Sequence, residues 1–305
     1  MSTCKGVYSV LPTPFDDAGD LDEASLRRVV DLFVRAGVDG VTVLGVTGEV
    51  ARLDEAERVR VAEVALDAVA GRVPVVVGAT ADGTRACIGY SRSALAAGAA
   101  AVMVSPPRMP KLNTDAVLRH YRSLAEAVDI DIVVQDYPPI SGYHVEPALL
   151  ARIAREVPRA RTIKLEDPPT PFKTARILEA AGDIRVQVLG GLGGVFLLEE
   201  LLAGAAGAMT GFAVPEILVR IVRLFRAGAV DEAADVFYRA VPLMRFEFQE
   251  GIGMAIRKEV LRRRGALASA SIRPPGGALD APTREALDRV LAWVQAQEGI
   301  EWRLA

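Results

Sequence analysis

Short apolar segments recur along most of the chain, and this recurrence limits the possible folds more than any other sequence feature. Each segment is rich in Val, Ile, Leu or Ala and is followed by an amphipathic stretch, with a repeat of about 25 to 30 residues. Strands that alternate with helices in this way pair in parallel, and eight of them satisfy a closed (β/α)8 barrel. The candidate strands are 6–11, 40–44, 74–77, 100–104, 131–135, 161–164, 185–189 and 207–209. The sequence therefore predicts an α/β fold, specifically a (β/α)8 or TIM barrel.

The pattern changes after residue 209, where helical periodicity continues without a further strand. The candidate helices of this part are 214–226, 230–244, 253–264 and 283–297. We therefore expect the barrel to span residues 1–226 and a C-terminal helical appendage to span residues 227–305.

Composition and charge argue against several classes of protein. The 305 residues are 51% hydrophobic and 25% charged with a net charge of −3, and they contain no basic stripe of the kind that binds nucleic acid. No signal-peptide pattern and no apolar run of about 18 residues is present, so we expect a cytoplasmic protein without membrane contact. Cys4, Cys87, His120 and His144 are too few and too scattered for a disulfide framework or a metal site.

Lys164 ends the sixth candidate strand, which is where a barrel places its ligand-binding groups. Glu166 follows two residues later, so both side chains point to the same side if the strand continues. Burial disfavours the charged form of a lysine, and a neutral amine can attack a carbonyl carbon to form a Schiff base. Taken alone, the two residues are also compatible with a surface ion pair. Their place in the predicted barrel favours the reactive amine.

Two segments beyond other strand ends supply candidate substrate-binding groups. In the turn 45–49 (GVTGE), glycines allow backbone N–H groups to approach an anion, and Thr47 adds a hydroxyl. Such a turn suits a carboxylate, although glycines also occur in turns for conformational reasons alone. Arg108, after the fourth strand, is compatible with a substrate contact and equally with a surface cation.

Taken in order, these features resemble the N-acetylneuraminate lyase and dihydrodipicolinate synthase superfamily. The matching elements are 13–15 (TPF), the turn 45–49, 138–142 (PPISG), 163–164 (IK) and Gly191. The resemblance implies a barrel with C-terminal helices, a homotetramer or dimer, and action on pyruvate or another 2-oxo acid with no cofactor. It further implies that Lys164 forms the Schiff base and that Thr47 and Gly48 hold the substrate carboxylate. Val46 and Gly191 belong to the same substrate-binding group.

Departures from the family pattern bear on the reaction. Gln135 stands where the family places a proton-transferring tyrosine, and a glutamine amide cannot act as a general acid or base. Val46 replaces the first threonine of the family's proton relay, and Ile140 replaces the arginine that binds the aldehyde substrate of the synthases. Pro107 or Arg108 stands in place of the tyrosine that a neighbouring subunit supplies. We therefore do not expect this chain to synthesise dihydrodipicolinate.

The segment Gln135-Asp136-x-Pro138 together with Lys164-x-Glu166 resembles a subgroup of dehydratases that act on 2-keto-3-deoxy sugar acids, such as keto-deoxy-arabonate. In this interpretation Glu166 removes a C3 proton and then helps the C4 hydroxyl to leave, while Gln135 orients a substrate hydroxyl or water. An aldolase that cleaves or forms a 4-hydroxy-2-oxo acid with pyruvate is the nearest alternative, because the same enamine serves both reactions. A third possibility is a barrel that binds 2-oxo acids without catalysis.

Overall fold

Eight parallel strands close into a single barrel, in which each strand pairs with its sequence neighbours and the first pairs with the last. The computed structural model describes residues 4–297 and Trp302. The strands are β1 (Gly6–Val10), β2 (Gly40–Val43), β3 (Val75–Gly78), β4 (Ala101–Val104), β5 (Asp131–Asp136), β6 (Thr162–Leu165), β7 (Gln187–Gly190) and β8 (Gly207–Thr210). The predicted (β/α)8 barrel is confirmed, and each predicted strand boundary lies within two residues of the observed one.

Helices follow the strands and surround the barrel. They are α1 (Glu23–Arg35), α2 (Glu55–Val69), α3 (Thr84–Ala97), α4 (Thr114–Ala127), α5 (Pro138–Ser141), α6 (Pro147–Glu156), α7 (Thr170–Ala181), α8 (Leu197–Leu202), α9 (Pro215–Arg226), α10 (Val230–Glu247), α11 (Gly253–Arg263) and α12 (Ala281–Gln295). Local sequence explains several of their starts; for example, Asp54 and Glu57 form a reciprocal capping box at the start of α2. Within the described part of the chain, no helix is both long and apolar enough to cross a membrane.

Side chains alternate between two cores along each strand. On β4, Ala101 and Met103 point into the barrel interior, whereas Val102 and Val104 pack against the surrounding helices. The interior core is apolar, and its buried members are Cys4, Tyr8, Val10, Val76, Ala101, Met103, Val133, Leu189 and Met209. Polar inward-facing side chains come after these residues, toward the carboxyl ends of the strands. This places the candidate site at the end of the barrel where (β/α)8 enzymes bind their substrates.

The C-terminal helices pack directly on the barrel helices. α10 contacts α8 and α9, and buried side chains of α10 and α11, such as Leu243 and Ile256, belong to the same hydrophobic core as the barrel helices. Lys258 of α11 also forms a buried ion pair with Glu49, with 2.5 Å between Nζ and Oε1. The predicted boundary coincides with the end of α9, but the division into units 1–226 and 227–305 stays a prediction.

Candidate active site

Lys164 and Glu166 meet at the carboxyl end of β6. The Lys164 side chain is 4% exposed, and its Nζ lies 2.9 Å from Glu166 Oε2. Backbone pairing continues past the strand, since the Glu166 N–H donates to the Asp136 carbonyl at 2.9 Å. The extended backbone therefore directs both side chains to the same side of the strand end, as their spacing predicts. A buried amine can form a Schiff base with a substrate carbonyl, and a carboxylate next to it can transfer protons to and from that substrate.

A chain of hydrogen bonds fixes the orientation of the Glu166 carboxylate. Gln135 Nε2 donates to Glu166 Oε2 at 2.7 Å, and Ser105 Oγ donates to Gln135 Oε1 at 3.0 Å. The Ser105 N–H in turn donates to Thr80 Oγ1 at 3.0 Å. Because Ser105 occupies the amide oxygen, the NH2 group of Gln135 faces the carboxylate. Gln135, predicted to orient a substrate hydroxyl or water, is here bonded to Glu166.

Gly191 provides the space that Glu166 occupies. A Cβ atom on Gly191 would lie 2.2 Å from Glu166 Cγ, which is closer than any side-chain contact allows. The Gly191 N–H donates to the Leu165 carbonyl at 3.0 Å, so the backbone cannot simply retreat. This contact explains why glycine is required after β7, whereas the substrate contact predicted for Gly191 stays a prediction.

The turn 45–49 presents one unpaired polar group. Thr47 Oγ1 is buried and has no hydrogen-bond partner among the described residues. The backbone of Gly48 is already engaged, since its N–H donates to the Gly45 carbonyl at 3.0 Å and its carbonyl accepts from Thr13 Oγ1 at 2.6 Å. Val46 is 38% exposed. Thr47 is therefore the member of the predicted carboxylate turn whose side chain is free to bind a ligand.

Two further residues, the predicted Arg108 and Tyr137, follow the ends of β4 and β5. Arg108 is exposed, and its side-chain Cγ lies 4.0 Å from the position that a Cβ on Gly142 would occupy. Arg108 is therefore outside the buried cluster around Lys164. Tyr137 is half-buried, and burial raises its pKa, with smaller contributions from the negative charges of Glu166 and Glu250.

Sequence reasoning did not assign Ser105 or Tyr137 to the site, although both have a recognisable signal. Ser105 follows the inward-facing Met103 by two residues, and Tyr137 follows Gln135 by two. Extending the inward alternation one step beyond each strand would have placed both at the cavity.

The fold and the site together define a class of protein: a (β/α)8-barrel enzyme with a buried lysine at the end of β6, paired with a carboxylate. The model of the dihydrodipicolinate synthetase family matches residues 3–294, and the chain belongs to this family.

Three similar proteins illustrate the range of this family. The L-2-keto-3-deoxyarabonate dehydratase of Azospirillum brasilense is 34% identical over 289 residues, which cover 93% of this chain and 92% of that protein. The crystal structure of dihydrodipicolinate synthase from Rhodopseudomonas palustris superimposes with a TM-score of 0.89 at 36% identity, covering 95% and 97% of the two chains. The crystal structure of YagE from E. coli K12, a prophage protein of the same family in complex with pyruvate, gives a TM-score of 0.89 at 25% identity and covers 96% and 99%.

Family membership determines the general chemistry. The protein is a lyase, either a dehydratase or an aldolase, that acts through a Schiff base. Proteins of this family bind small 2-oxo acids as substrates. The predicted superfamily and its dehydratase subgroup are confirmed, and the alternative of a non-catalytic binding protein is disfavoured.

Proposed function

We propose that the protein dehydrates a 2-keto-3-deoxy sugar acid, with Lys164 as the Schiff-base residue and Glu166 as the acid and base. One observation carries this proposal: Glu166 Oε2 lies 2.9 Å from Lys164 Nζ and accepts a hydrogen bond from Gln135. The family resemblance assigns Gln135 to the position of the family's tyrosine. The group that can transfer protons next to Lys164 is thus the carboxylate of Glu166, which lies at the end of the same strand, β6.

The chemistry follows from this arrangement. Lys164 Nζ attacks C2 of the substrate and water leaves, which gives a protonated Schiff base that draws electrons from C3. Glu166 takes a proton from C3, and the electron pair of that C–H bond forms the enamine. The enamine nitrogen then returns its electron pair to C2, the C2=C3 pair moves to form a C3=C4 double bond, and the C4–O bond breaks. The departing hydroxyl takes the proton from Glu166 and leaves as water. Hydrolysis of the Schiff base restores the amine.

Gln135 and Gly191 serve the carboxylate in this scheme. The amide of Gln135 holds Oε2 of Glu166 close to the lysine, so the base is positioned before substrate arrives. Gly191 leaves room for the Glu166 side chain. Thr47, with its unpaired hydroxyl, would bind the C1 carboxylate in the turn 45–49. For Gly48 to take part, its N–H would have to share the hydrogen bond that it donates to the Gly45 carbonyl.

The substrate class rests on two relatives. One is named for the dehydration of L-2-keto-3-deoxyarabonate and matches most of this chain. The other, YagE, is a fold neighbour whose structure is in complex with pyruvate, a 2-oxo acid. We extend this substrate class to the present protein. A cytoplasmic location and assembly into a homotetramer or dimer remain predictions.

Borohydride trapping tests the proposal directly. The protein is reduced with sodium borohydride in the presence of pyruvate, and the modified peptide is identified by mass spectrometry. Lys173 of α7 and Lys258 of α11 are internal controls, because both are buried and paired with carboxylates as Lys164 is, but neither lies at the carboxyl end of a barrel strand. We expect the adduct on Lys164, and none in the Lys164→Arg variant. No adduct in the parent protein would overturn the Schiff-base mechanism.

Product analysis separates the two lyase reactions. With unreduced protein and a panel of 2-keto-3-deoxy sugar acids, dehydration yields a product lighter than the substrate by one water. Aldol cleavage instead takes a proton from the C4 hydroxyl, breaks the C3–C4 bond and yields pyruvate and an aldehyde. Release of pyruvate would show that the protein is an aldolase and not a dehydratase, and the Schiff-base role of Lys164 would still hold.

A further inference from the structure

Arg257, far from the other site residues in sequence, reaches the mouth of the barrel from α11. Gly211 lies two residues beyond the inward-facing Met209, so a Cβ on Gly211 would point into the barrel. That Cβ position is 2.7 Å from Arg257 Nη1 and 3.1 Å from Thr47 Oγ1. The guanidinium and the hydroxyl of the carboxylate turn therefore border the same small space, which a glycine leaves open.

The guanidinium of Arg257 is buried and only partly paired. Arg257 is 4% exposed, and its Nε donates to Glu247 Oε2 at 3.3 Å. Glu247 is held in place by the Ala213 N–H, which donates to the same oxygen at 3.1 Å. In residues 4–297, no hydrogen bond of Arg257 runs from Nη1 or Nη2. Thr47 Oγ1 beside it also has no partner among the described residues.

Burial of an incompletely paired guanidinium lowers the stability of the fold. Apolar side chains could pack α11 against the barrel without this cost, so packing alone does not explain an arginine at this position. Nη1 and Nη2 form a planar pair of donors that matches the two oxygens of a carboxylate. A carboxylate placed between Thr47 and Arg257 would satisfy the free donors of both. A bound acid would thus offset part of the desolvation cost of the buried guanidinium.

We propose that Arg257 binds the C1 carboxylate of the 2-oxo acid together with Thr47, and that Glu247 and Gly211 are positioning residues for its guanidinium. This inference rests on the proposed function, because it takes the bound molecule to be the acid that reacts with Lys164. It assigns the C-terminal helices a direct part in choosing acids over neutral ketones.

The test compares pyruvate with pyruvamide, which has the same ketone but no negative charge. Borohydride capture is measured against the concentration of each compound for the parent protein and for Arg257→Met. Loss of a charge-assisted hydrogen bond should raise the concentration of pyruvate that gives half-maximal capture by about 10- to 100-fold. Capture of pyruvamide should stay at the parent level. Arg257→Lys, which keeps the charge without the planar pair of donors, should fall between the two.

Arg264→Met is the matched control. Arg264 is also a buried arginine next to α11, but it pairs with Glu216 and the Ala213 carbonyl. Its removal should leave the pyruvate concentration dependence within about twofold of the parent, well under the shift expected for a charge-assisted contact. Circular dichroism shows whether Arg257→Met folds. If it does not, Gly211→Ala keeps both binding groups and inserts a methyl between them, and it should raise the pyruvate requirement selectively in the same way.

The outcomes separate this inference from the proposed function. Parent protein that captures neither compound would overturn the Schiff-base mechanism and the inference with it. Parent protein that captures pyruvate, with Arg257→Met or Gly211→Ala capturing it at the same concentration, would overturn only the role of Arg257. An equal loss for pyruvate and pyruvamide would show that Arg257 supports the fold and does not bind the carboxylate.

Discussion

At the scale of single residues, the reaction depends on one oxygen atom of Glu166, which both Lys164 and Gln135 approach. Lys164 Nζ is 2.9 Å away and Gln135 Nε2 is 2.7 Å away. We expect Glu166→Gln to retain borohydride trapping on Lys164, because the amine is unchanged. Its turnover should fall by about 100-fold or more, because an amide cannot carry the proton between C3 and the leaving hydroxyl. Steady-state kinetics and trapping on the same sample measure the two effects.

Asp167→Asn is the control for this variant. Asp167 is the next residue in the chain, but its carboxylate pairs with Lys173 at 2.7 Å and with His144 at 3.1 Å, away from Lys164. Its turnover should stay close to that of the parent. Parent-like turnover in Glu166→Gln would contradict the acid and base role.

The residues of the site differ in how far sequence alone could reveal them. Lys164, Glu166 and Gln135 follow from alternation along single strands, which is a local property. Gln135 could be placed, but its hydrogen bond to Glu166 depends on the side-by-side pairing of β5 and β6. Arg257 gives no local signal, because it reaches the site from a helix that the barrel pattern does not include.

At the scale of elements, a buried carboxyl group joins α8 to the outside of β7. Glu200 is 1% exposed, and its Oε2 lies where a Cβ on Gly190 would clash. Thr170 Oγ1 donates to Oε1 at 2.6 Å, while Oε2 has no partner among the described residues. Burial, supported by the charges of Glu199 and Glu166, raises the pKa of Glu200 from 4.5 to about 7. The folded protein therefore holds a proton that the unfolded chain releases at lower pH.

This difference predicts a loss of stability with rising pH. Between pH 4.5 and about 7 the unfolded chain ionises Glu200 while the folded protein does not. The free energy of unfolding should decrease across this window by up to about 3 kcal/mol through this group alone, and the effect should be constant above it. Urea unfolding at several pH values measures the change. Glu200→Gln should remove this contribution.

Glu179→Gln serves as the control for Glu200→Gln. Glu179, on the neighbouring α7, has a side chain that is 69% exposed, so its substitution should leave the pH dependence as in the parent. If Glu200→Gln retains the full dependence between pH 4.5 and 7, the buried carboxyl is not its source.

The junction between α11 and the turn 45–49 is a second element-scale contact. Lys258 is fully buried, pairs with Glu49 and donates to the Ser271 carbonyl at 2.8 Å. Glu49 has a positive φ of 54°, so the ion pair also stabilises an uncommon backbone conformation beside Thr47. Lys258→Met removes the partner of Glu49 Oε1, while Arg52 still pairs with Oε2 at 2.6 Å, and should lower the free energy of unfolding by about 3 kcal/mol.

Denaturant unfolding measures this loss, and two companion variants interpret it. Lys111→Met removes an exposed lysine and should change stability by less than about 0.5 kcal/mol. Adding Glu49→Gln to Lys258→Met should recover part of the loss, since no buried charge is then unpaired. If the single Lys258→Met variant is as stable as the parent, the ion pair does not stabilise this junction.

At the scale of the whole molecule, the barrel was predictable because its signal is repeated. Each of the eight strands is a short apolar segment, and the count alone favours closure. The attachment of the C-terminal helices was not predictable in this way, because it depends on contacts between distant segments. The loop 271–277 illustrates the difference. Its Pro and Gly content indicates an ordinary surface loop, yet Arg273 lies over the Phe15 ring and pairs with Glu57.

These contacts bear on the predicted division into residues 1–226 and 227–305. α10 and α11 share a continuous hydrophobic core with the barrel helices, and Arg257 and Lys258 reach the barrel mouth. Elements that bury one core together unfold together. We therefore expect one cooperative unfolding transition for the whole chain, in which the C-terminal helices do not melt separately.

The two tryptophans, Trp293 and Trp302, make this prediction testable, because both lie in the C-terminal part of the chain. Trp293→Phe removes the half-exposed indole and leaves fluorescence from the buried Trp302 as a local probe. Its urea midpoint should coincide with that of far-UV circular dichroism, which reports the helices of the entire molecule, and with the loss of borohydride trapping at Lys164. A fluorescence midpoint at lower urea would show that residues 227–305 unfold as a separate domain. If borohydride trapping at Lys164 persisted after residues 227–305 had unfolded, the barrel would keep its reactive lysine without the C-terminal helices.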